Sequence, residues 1–204
     1  MIPALLFVLA ACGGQAETLM SVAQDSTPAV QFTIDLWPGE GIPVIEAKRS
    51  LLRLLAAPDP SSPVVDSVHA RIGQRLAFDS TRFQTIRSGS LRVVTPMTVT
   101  GRDLGESSRL TGDRYYHGSA SEVSKPVAAT ATIEFLQYRA EGTCFVRIDR
   151  HVIDAQPCPG FGKESVEVVV NPVTRWWILV RGQGGSSGWL LVSDSTAQAV
   201  RREF

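Results

Sequence analysis

Apolar and polar residues alternate in short bursts along this chain, and almost nowhere at the spacing of a helix. Residues 30–36 read Val, Gln, Phe, Thr, Ile, Asp, Leu, an unbroken alternation that predicts a strand with one buried face. Trp37, Pro38 and Gly39 punctuate it, and 42–45 begin a second extended segment. Short strands are expected again at 51–55, 64–68, 75–78, 83–86 and 91–94, separated by Asp, Ser and Gly. Pro58, Pro60 and Pro63 forbid helix between 56 and 63 and demand an extended, turning loop.

The strongest apolar signal lies near the C-terminus. Residues 176–180 (Trp, Trp, Ile, Leu, Val) and 189–192 (Trp, Leu, Leu, Val) hold three of the four tryptophans. Both runs suit a pleated surface. Gly182, Gly184, Gly185, Ser186, Ser187 and Gly188 between them accept the backbone angles of a turn. The stretch therefore predicts a hairpin, and strand alternation sends Trp176 and Trp177 to opposite faces. One of the two is expected in the core and the other partly exposed.

Between these regions, 101–125 is polar and rich in Gly and Ser, broken by Tyr115, Tyr116 and His117. A domain boundary or long connection is expected there. A compact antiparallel meander follows, with strands at 130–138, 144–148 and 151–153 and turns at Glu141-Gly142 and Asp149-Arg150. Residues 194–204 read as a short helix or ordered tail packing Val200 and Phe204.

The chain has 204 residues, 44% hydrophobic and 20% charged, which is ordinary for one larger globular domain or two small ones. Twenty basic and twenty acidic residues cancel. Nucleic acid is not an expected partner, because its binding needs a basic footprint.

At the N-terminus an apolar run, 5–11, is too short to span a bilayer and fits the core of an export signal. Leu9-Ala10-Ala11-Cys12 resembles the lipobox of bacterial lipoproteins, although no Lys or Arg precedes the run as such signals normally have. The resemblance implies a signal segment 1–11, cleavage before Cys12 and a lipid anchor on that cysteine. Gly13, rather than Asp, implies outer-membrane retention, on the periplasmic face or the cell surface. Residues 12–28, rich in Gly, Gln, Ser, Thr and Ala, then form a flexible tether. With Cys12 acylated, Cys144 and Cys158 remain and are expected to form a disulfide in an oxidising compartment. Such a bridge contributes about 3 kcal/mol on the chain-entropy model.

A second resemblance is carried by Leu52-Arg53, the proline–serine loop 56–63, Val64-Val65 and the turn at Gly73, which together resemble the opening of bacterial SH3-like domains. Those domains end on a Trp-x-Val strand and a Gly-Trp pair. Thr85 to Gly89 lack that ending, whereas Trp177 to Val180 and Gly188-Trp189 match it but lack the opening. The resemblance implies two small SH3-like barrels in tandem. The expected division is a first domain at 29–105, a linker at 106–128 and a second, disulfide-bearing domain at 129–204.

Catalytic signatures are weak. Gly184-x-Ser186-x-Gly188 matches the nucleophile-elbow pattern, but that motif needs a helix after it, and a strand is expected here. Asp149, His151 and Asp154 offer carboxylate and imidazole groups without a third strong ligand at a recognised spacing. Residues 160–164 lack the pattern of a phosphate loop. No metal or cofactor is expected, and the chain reads as a binding protein rather than an enzyme. Trp37, Tyr115, Tyr116, Trp176, Trp177 and Trp189 are the candidate ligand-binding residues, as aromatics line peptide grooves in SH3-type folds. By resemblance, the ligand is a cell-wall peptide (a peptidoglycan peptide) or a partner protein of the envelope. The alternative is a structural or assembly subunit of an envelope or surface complex that pairs through exposed strands. A hydrolase working near Ser186 or His151 is the third reading.

Overall fold

The structure, a computed structural model, describes residues 30–39, 41, 43–140, 142–161 and 164–200. The signal segment 1–11, Cys12, the tether 12–28 and the tail 201–204 lie outside the described residues. The chain begins with β1 (Phe32–Asp35), β2 (Val44–Ala47), β3 (Leu51–Leu55), β4 (Val64–His69), β5 (Arg75–Leu76) and β6 (Ser80–Arg87). Next come β7 (Gly89–Val93), β8 (Met97–Asp103), β9 (Arg109–Thr111), the short helix α1 (Gly112–His117) and β10 (Ser121–Val127). β11 (Thr132–Tyr138), β12 (Cys144–Ile148), β13 (His151–Ala155) and β14 (Val166–Val170) follow. β15 (Val173–Arg181), β16 (Ser187–Val192) and β17 (Ala197–Val200) complete the described elements. Apart from α1 the fold is all-β, as the alternation predicts.

Two seven-stranded sheets and one of three strands result. The first sheet runs β4-β3-β16-β15-β6-β1-β9, the second β10-β8-β13-β12-β11-β7-β14, and the small one β17-β2-β5. Among the described residues only β1 and β9 pair parallel; every other neighbouring pair is antiparallel. The expected hairpin is present: β15 and β16 pair from Trp176↔Val192 to Arg181↔Ser187. Trp177 is fully buried and Trp176 half-buried, the split that alternation requires. The meander β11-β12-β13 and the Asp149-Arg150 turn are also as expected, with both turn residues at positive φ (51° and 70°), the backbone of a tight hairpin.

The sheets do not close into barrels, and the expected tandem arrangement is not what the strands form. β15 lies against β6 from Val173↔Arg87 to Leu179↔Ser80, and β16 pairs with β3 at Trp189↔Leu55. Strands assigned to separate domains therefore share one sheet, while all seven strands of the second lie within residues 89–170. The physical reason lies in the hairpin itself. Residues 176–180 are wholly apolar, and a long apolar strand left at a sheet edge is a pairing liability, so the run takes a neighbour along each edge. The N-terminal strands supply those neighbours. Nor is 106–128 a plain linker: β9 pairs with β1, and β10 with β8 over seven residues. Within the segment 194–204, expected as a short helix or ordered tail, Ala197–Val200 form strand β17, paired with β2, and Phe204 lies outside the described residues.

Three apolar clusters hold these layers. Ile45, Leu52, Leu54, Leu76, Ile178, Val180 and Leu190 join the small sheet to the first large one. Phe32, Ile34, Leu110 and Tyr115 meet Leu136, Phe145 and Val152, joining the first sheet to the second. The opposite face of the second sheet gathers Leu91, Val99, Phe135, Val146 and Ile153 around the Cys144–Cys158 disulfide, whose Cα atoms are 5.0 Å apart. Gly188 is required by the close crossing of β16 over β3. A Cβ there would stand 2.7 Å from Leu54 Cβ and 3.1 Å from the Leu55 carbonyl.

Candidate functional site: an aromatic cleft between the sheets

Trp37 follows β1, Phe83 lies in β6 and Trp176 in β15. Phe83 and Trp176 are direct cross-strand partners, so their rings share a face; they stack at 5.3 Å with planes 13° apart. Trp37 leans on both, 5.0 Å from Trp176 and 5.6 Å from Phe83. Trp176 Nε1 donates to Thr81 Oγ1 at 2.6 Å, which fixes the indole's orientation. Aromatic pairs of this geometry contribute about 0.5–1.5 kcal/mol each beyond simple burial.

Beside this cluster opens a cleft of about 350 Å³ lined by Pro38, Phe83, Gln137, Tyr138, Asn171, Pro172 and Thr174. Its walls come from β1's trailing loop, β6, the end of β11 and the β14–β15 connection, so both large sheets contribute. The Ala140 amide donates to the Pro38 carbonyl at 3.0 Å and ties the two sides together. Tyr138 is 53% exposed, its ring edge-on to Phe135 at 4.4 Å. No acidic or basic side chain is among these seven. Gln137 Oε1, on a residue only 5% exposed, and Trp37 Nε1 are buried without hydrogen-bond partners. Leaving such groups unsatisfied costs about 1–3 kcal/mol each, and both atoms are closed to solvent, so neither is presented to a ligand in the cleft. The arrangement suits a neutral, partly apolar ligand bearing both donors and acceptors.

The structure separates the six aromatic residues expected to bind. Trp37 and Trp176 pack on Phe83 beside the cleft without lining it. Trp177 is enclosed on the opposite face of β15, its Nε1 donating to Gln84 Oε1 at 2.8 Å while Gln84 Nε2 donates to the Pro58 carbonyl at 3.0 Å. Trp189 sits half-buried under the Arg82 guanidinium, 4.8 Å from the ring centroid. Tyr115 is buried and Tyr116 is 67% exposed, both on α1. Phe83, Gln137, Tyr138 and Asn171 escape sequence reading, since each stands in an ordinary strand or loop pattern and only the packing of two sheets brings them together.

A second polar cluster surrounds Tyr115. The Asp154 carboxylate, fully buried, accepts from Tyr115 Oη at 2.7 Å and from Arg139 Nη1 at 2.9 and 3.0 Å. The Arg102 and Arg139 guanidiniums each lie 5.0 Å from the Tyr115 ring centroid, and Arg102 Nη2 also donates to the Tyr115 carbonyl at 2.9 Å. Burial, then the hydrogen bond and charge of Asp154, push the phenol up to about 12. Here a short helix is pinned to the second sheet by satisfied polar contacts.

The residues weighed for catalysis stand apart. Ser186 is in the β15–β16 turn, its amide donating to Asp66 Oδ2 at 3.2 Å, and a strand follows it. His151 Nδ1 is 2.9 Å from Asp103 Oδ2, and its Nε2 is 3.9 Å from Glu106 Oε1. Asp149 occupies the β12–β13 turn, and Asp154 lies on the face of β13 opposite His151. Among the described residues no three His, Cys, Asp or Glu side chains are grouped to hold a metal ion. Set against known proteins, the chain matches no family model, no curated protein and no solved structure.

Proposed function

We propose that this chain is a non-catalytic binding module of the bacterial envelope, anchored to the outer membrane through lipidated Cys12, and that its ligand seats in the cleft beside Trp37, Phe83 and Trp176. The two partial SH3-like patterns belong, on this reading, to one unit interrupted in sequence. The pairings β3–β16, β6–β15 and β2–β17 support it, because each joins the half carrying the opening to the half carrying the ending. The observation that carries the binding role is the uncharged cleft, in which Pro38, Phe83 and Tyr138 stand beside the polar side chains of Gln137, Asn171 and Thr174. A cell-wall peptide supplies amide groups that match Gln137 and Asn171, and its alanine methyls suit Pro38, Phe83 and Tyr138, while its carboxylates stay in solvent.

Titration of the purified chain with soluble peptidoglycan fragments, followed by calorimetry, tests the reading. Saturable binding is expected, weakened at least tenfold by Tyr138→Ala and by Asn171→Ala, both exposed enough to leave folding intact. Absence of binding at millimolar fragment, or binding that neither substitution alters, would overturn it.

A further inference from the structure

Five arginines of the two large sheets are matched by carboxylates. Asp35 takes Arg82 and Arg109, Glu167 takes Arg92, Asp154 takes Arg139 and Glu134 takes Arg147. One end of the molecule departs from that pattern. The β2–β3 turn carries Lys48 and Arg49, the β4–β5 turn carries Arg71, and Arg75 opens β5. Among the described residues none of these four cations is in an ion pair. The carboxylates that the same elements bring to this end are Glu46, across from Arg75, and Asp194, in the loop whose Thr196 carbonyl accepts from the Lys48 amide. Positive charge is left in excess, in a chain whose charges otherwise cancel.

Backbone bonds lock the two turns together. The Gly73 amide donates to the Ala47 carbonyl at 2.8 Å, the Ala47 amide to the Gln74 carbonyl at 2.9 Å, and the Ala70 amide to the Ser50 carbonyl at 3.0 Å. Between the turns lies an open groove of about 460 Å³ lined by Ser50, Leu51, His69, Ala70, Arg71 and Gln74, with no carboxylate among them. Ile72, at the tip of the β4–β5 turn, is 75% exposed, more than any other large apolar side chain among the described residues. Leu51, on the groove wall, is 47% exposed. Gly73, at a φ of 80°, and the bond from the Gln74 amide to the Arg71 carbonyl fix the turn that presents Ile72. A scattered apolar residue on a surface is ordinary. One held out on a fixed turn among unpaired cations has the make-up of a membrane-surface contact, apolar tip and basic flanks together.

We propose that this end of the molecule docks on an anionic phospholipid surface. A headgroup phosphate sits in the groove beside Arg71 and His69, Lys48 and Arg49 meet neighbouring headgroups, and Ile72 and Leu51 enter the interface. Guanidinium groups suit phosphate oxygens by charge and by geometry. A free phosphate would use the groove but leave Ile72 in water, so the lipid surface is the occupant that accounts for both features. The proposal draws on neither the cleft nor a lipid on Cys12, and its failure would leave the binding of cell-wall peptide untouched.

Vesicle co-sedimentation of the full-length chain carrying Cys12→Ser tests it, with phosphatidylcholine alone compared with phosphatidylcholine containing phosphatidylglycerol. Stronger binding to the anionic vesicles is expected, declining as salt is raised. Arg71→Gln should lower the partition coefficient about fivefold, and Ile72→Asn should lower it by a similar factor. Both positions are exposed, and unchanged thermal melts would show that the fold persists. Val168→Asn, exposed on the remote strand β14, should leave binding as it is. Equal binding to the two vesicle types, or none, would overturn the proposal. So would binding indifferent to Arg71→Gln and Ile72→Asn, since the apolar run 5–11 would then be the part that enters the bilayer. Calorimetry showing inorganic phosphate held through Arg71, by a chain that ignores the vesicles, would overturn it as well, because the groove would then serve a soluble anion.

Discussion

Tyr115 shows how much one side chain decides when it is buried among charges. Its hydroxyl is one of the donors that make a fully buried Asp154 tolerable. Tyr115→Phe removes that donor and should cost about 1–3 kcal/mol in chemical denaturation. The pH dependence has a definite sign. The folded phenol holds its proton up to about 12, whereas an unfolded tyrosine releases it near about 10. Below about pH 10 the stabilisation is complete; between about 10 and 12 the unfolded state binds fewer protons and stability falls, by on the order of 1 kcal/mol per unit. The Phe variant should lose less stability over that window, as urea midpoints measured from pH 8 to 12 would reveal. None of this is legible in the sequence. Tyr115 and Asp154 lie 39 residues apart, and Tyr115 reads there simply as an aromatic residue in a polar stretch.

At the level of the element, the β15–β16 hairpin was the most readable part of the chain, because a run apolar in both registers leaves little choice but a strand with opposed tryptophans. What the run could not announce was which strands would flank it. β9 and β10 were hidden for the converse reason: they are edge strands, mostly polar, and β10 contains Pro126, which only an edge accommodates. The glycines of the hairpin provide a paired test. Gly188→Ala drives a Cβ to 2.7 Å from Leu54 Cβ, part of the buried core, and overpacking of that kind costs about 1–3 kcal/mol. Gly182→Ala meets the Asp66 carboxyl at 2.3 Å and the Asp66 Cβ at 2.7 Å, and displacing that carboxylate breaks its bonds from the Ser67, Gly184 and Ser186 amides. Thermal melts should show a clear loss at both positions.

For the whole molecule, the useful register is Val173↔Arg87. After Arg87 the chain builds the second sheet, adding only the short edge strand β9 to the first on the way, and returns at Val173 to the same place. The interrupted resemblance in the sequence has its physical counterpart here: the opening and the ending of one pattern are far apart along the chain and adjacent in space. Candidate binding residues scatter for the same reason, since the cleft draws Phe83 from one side of the interruption and Thr174 from the other. Removing everything after residue 172 should abolish the first sheet's protection. Limited proteolysis of such a truncation is expected to cut between 44 and 87 far faster than in the intact chain.

The placement of the hairpin also dictates a schedule. The neighbour of β6 comes about ninety residues later in the chain, and that of β3 about 130 residues later, so both strands wait, apolar sides uncovered, until β15 and β16 reach them. Folding that depends on so distant a meeting is slow, and it leaves those sides open to misassociation until residues 173–192 are in place.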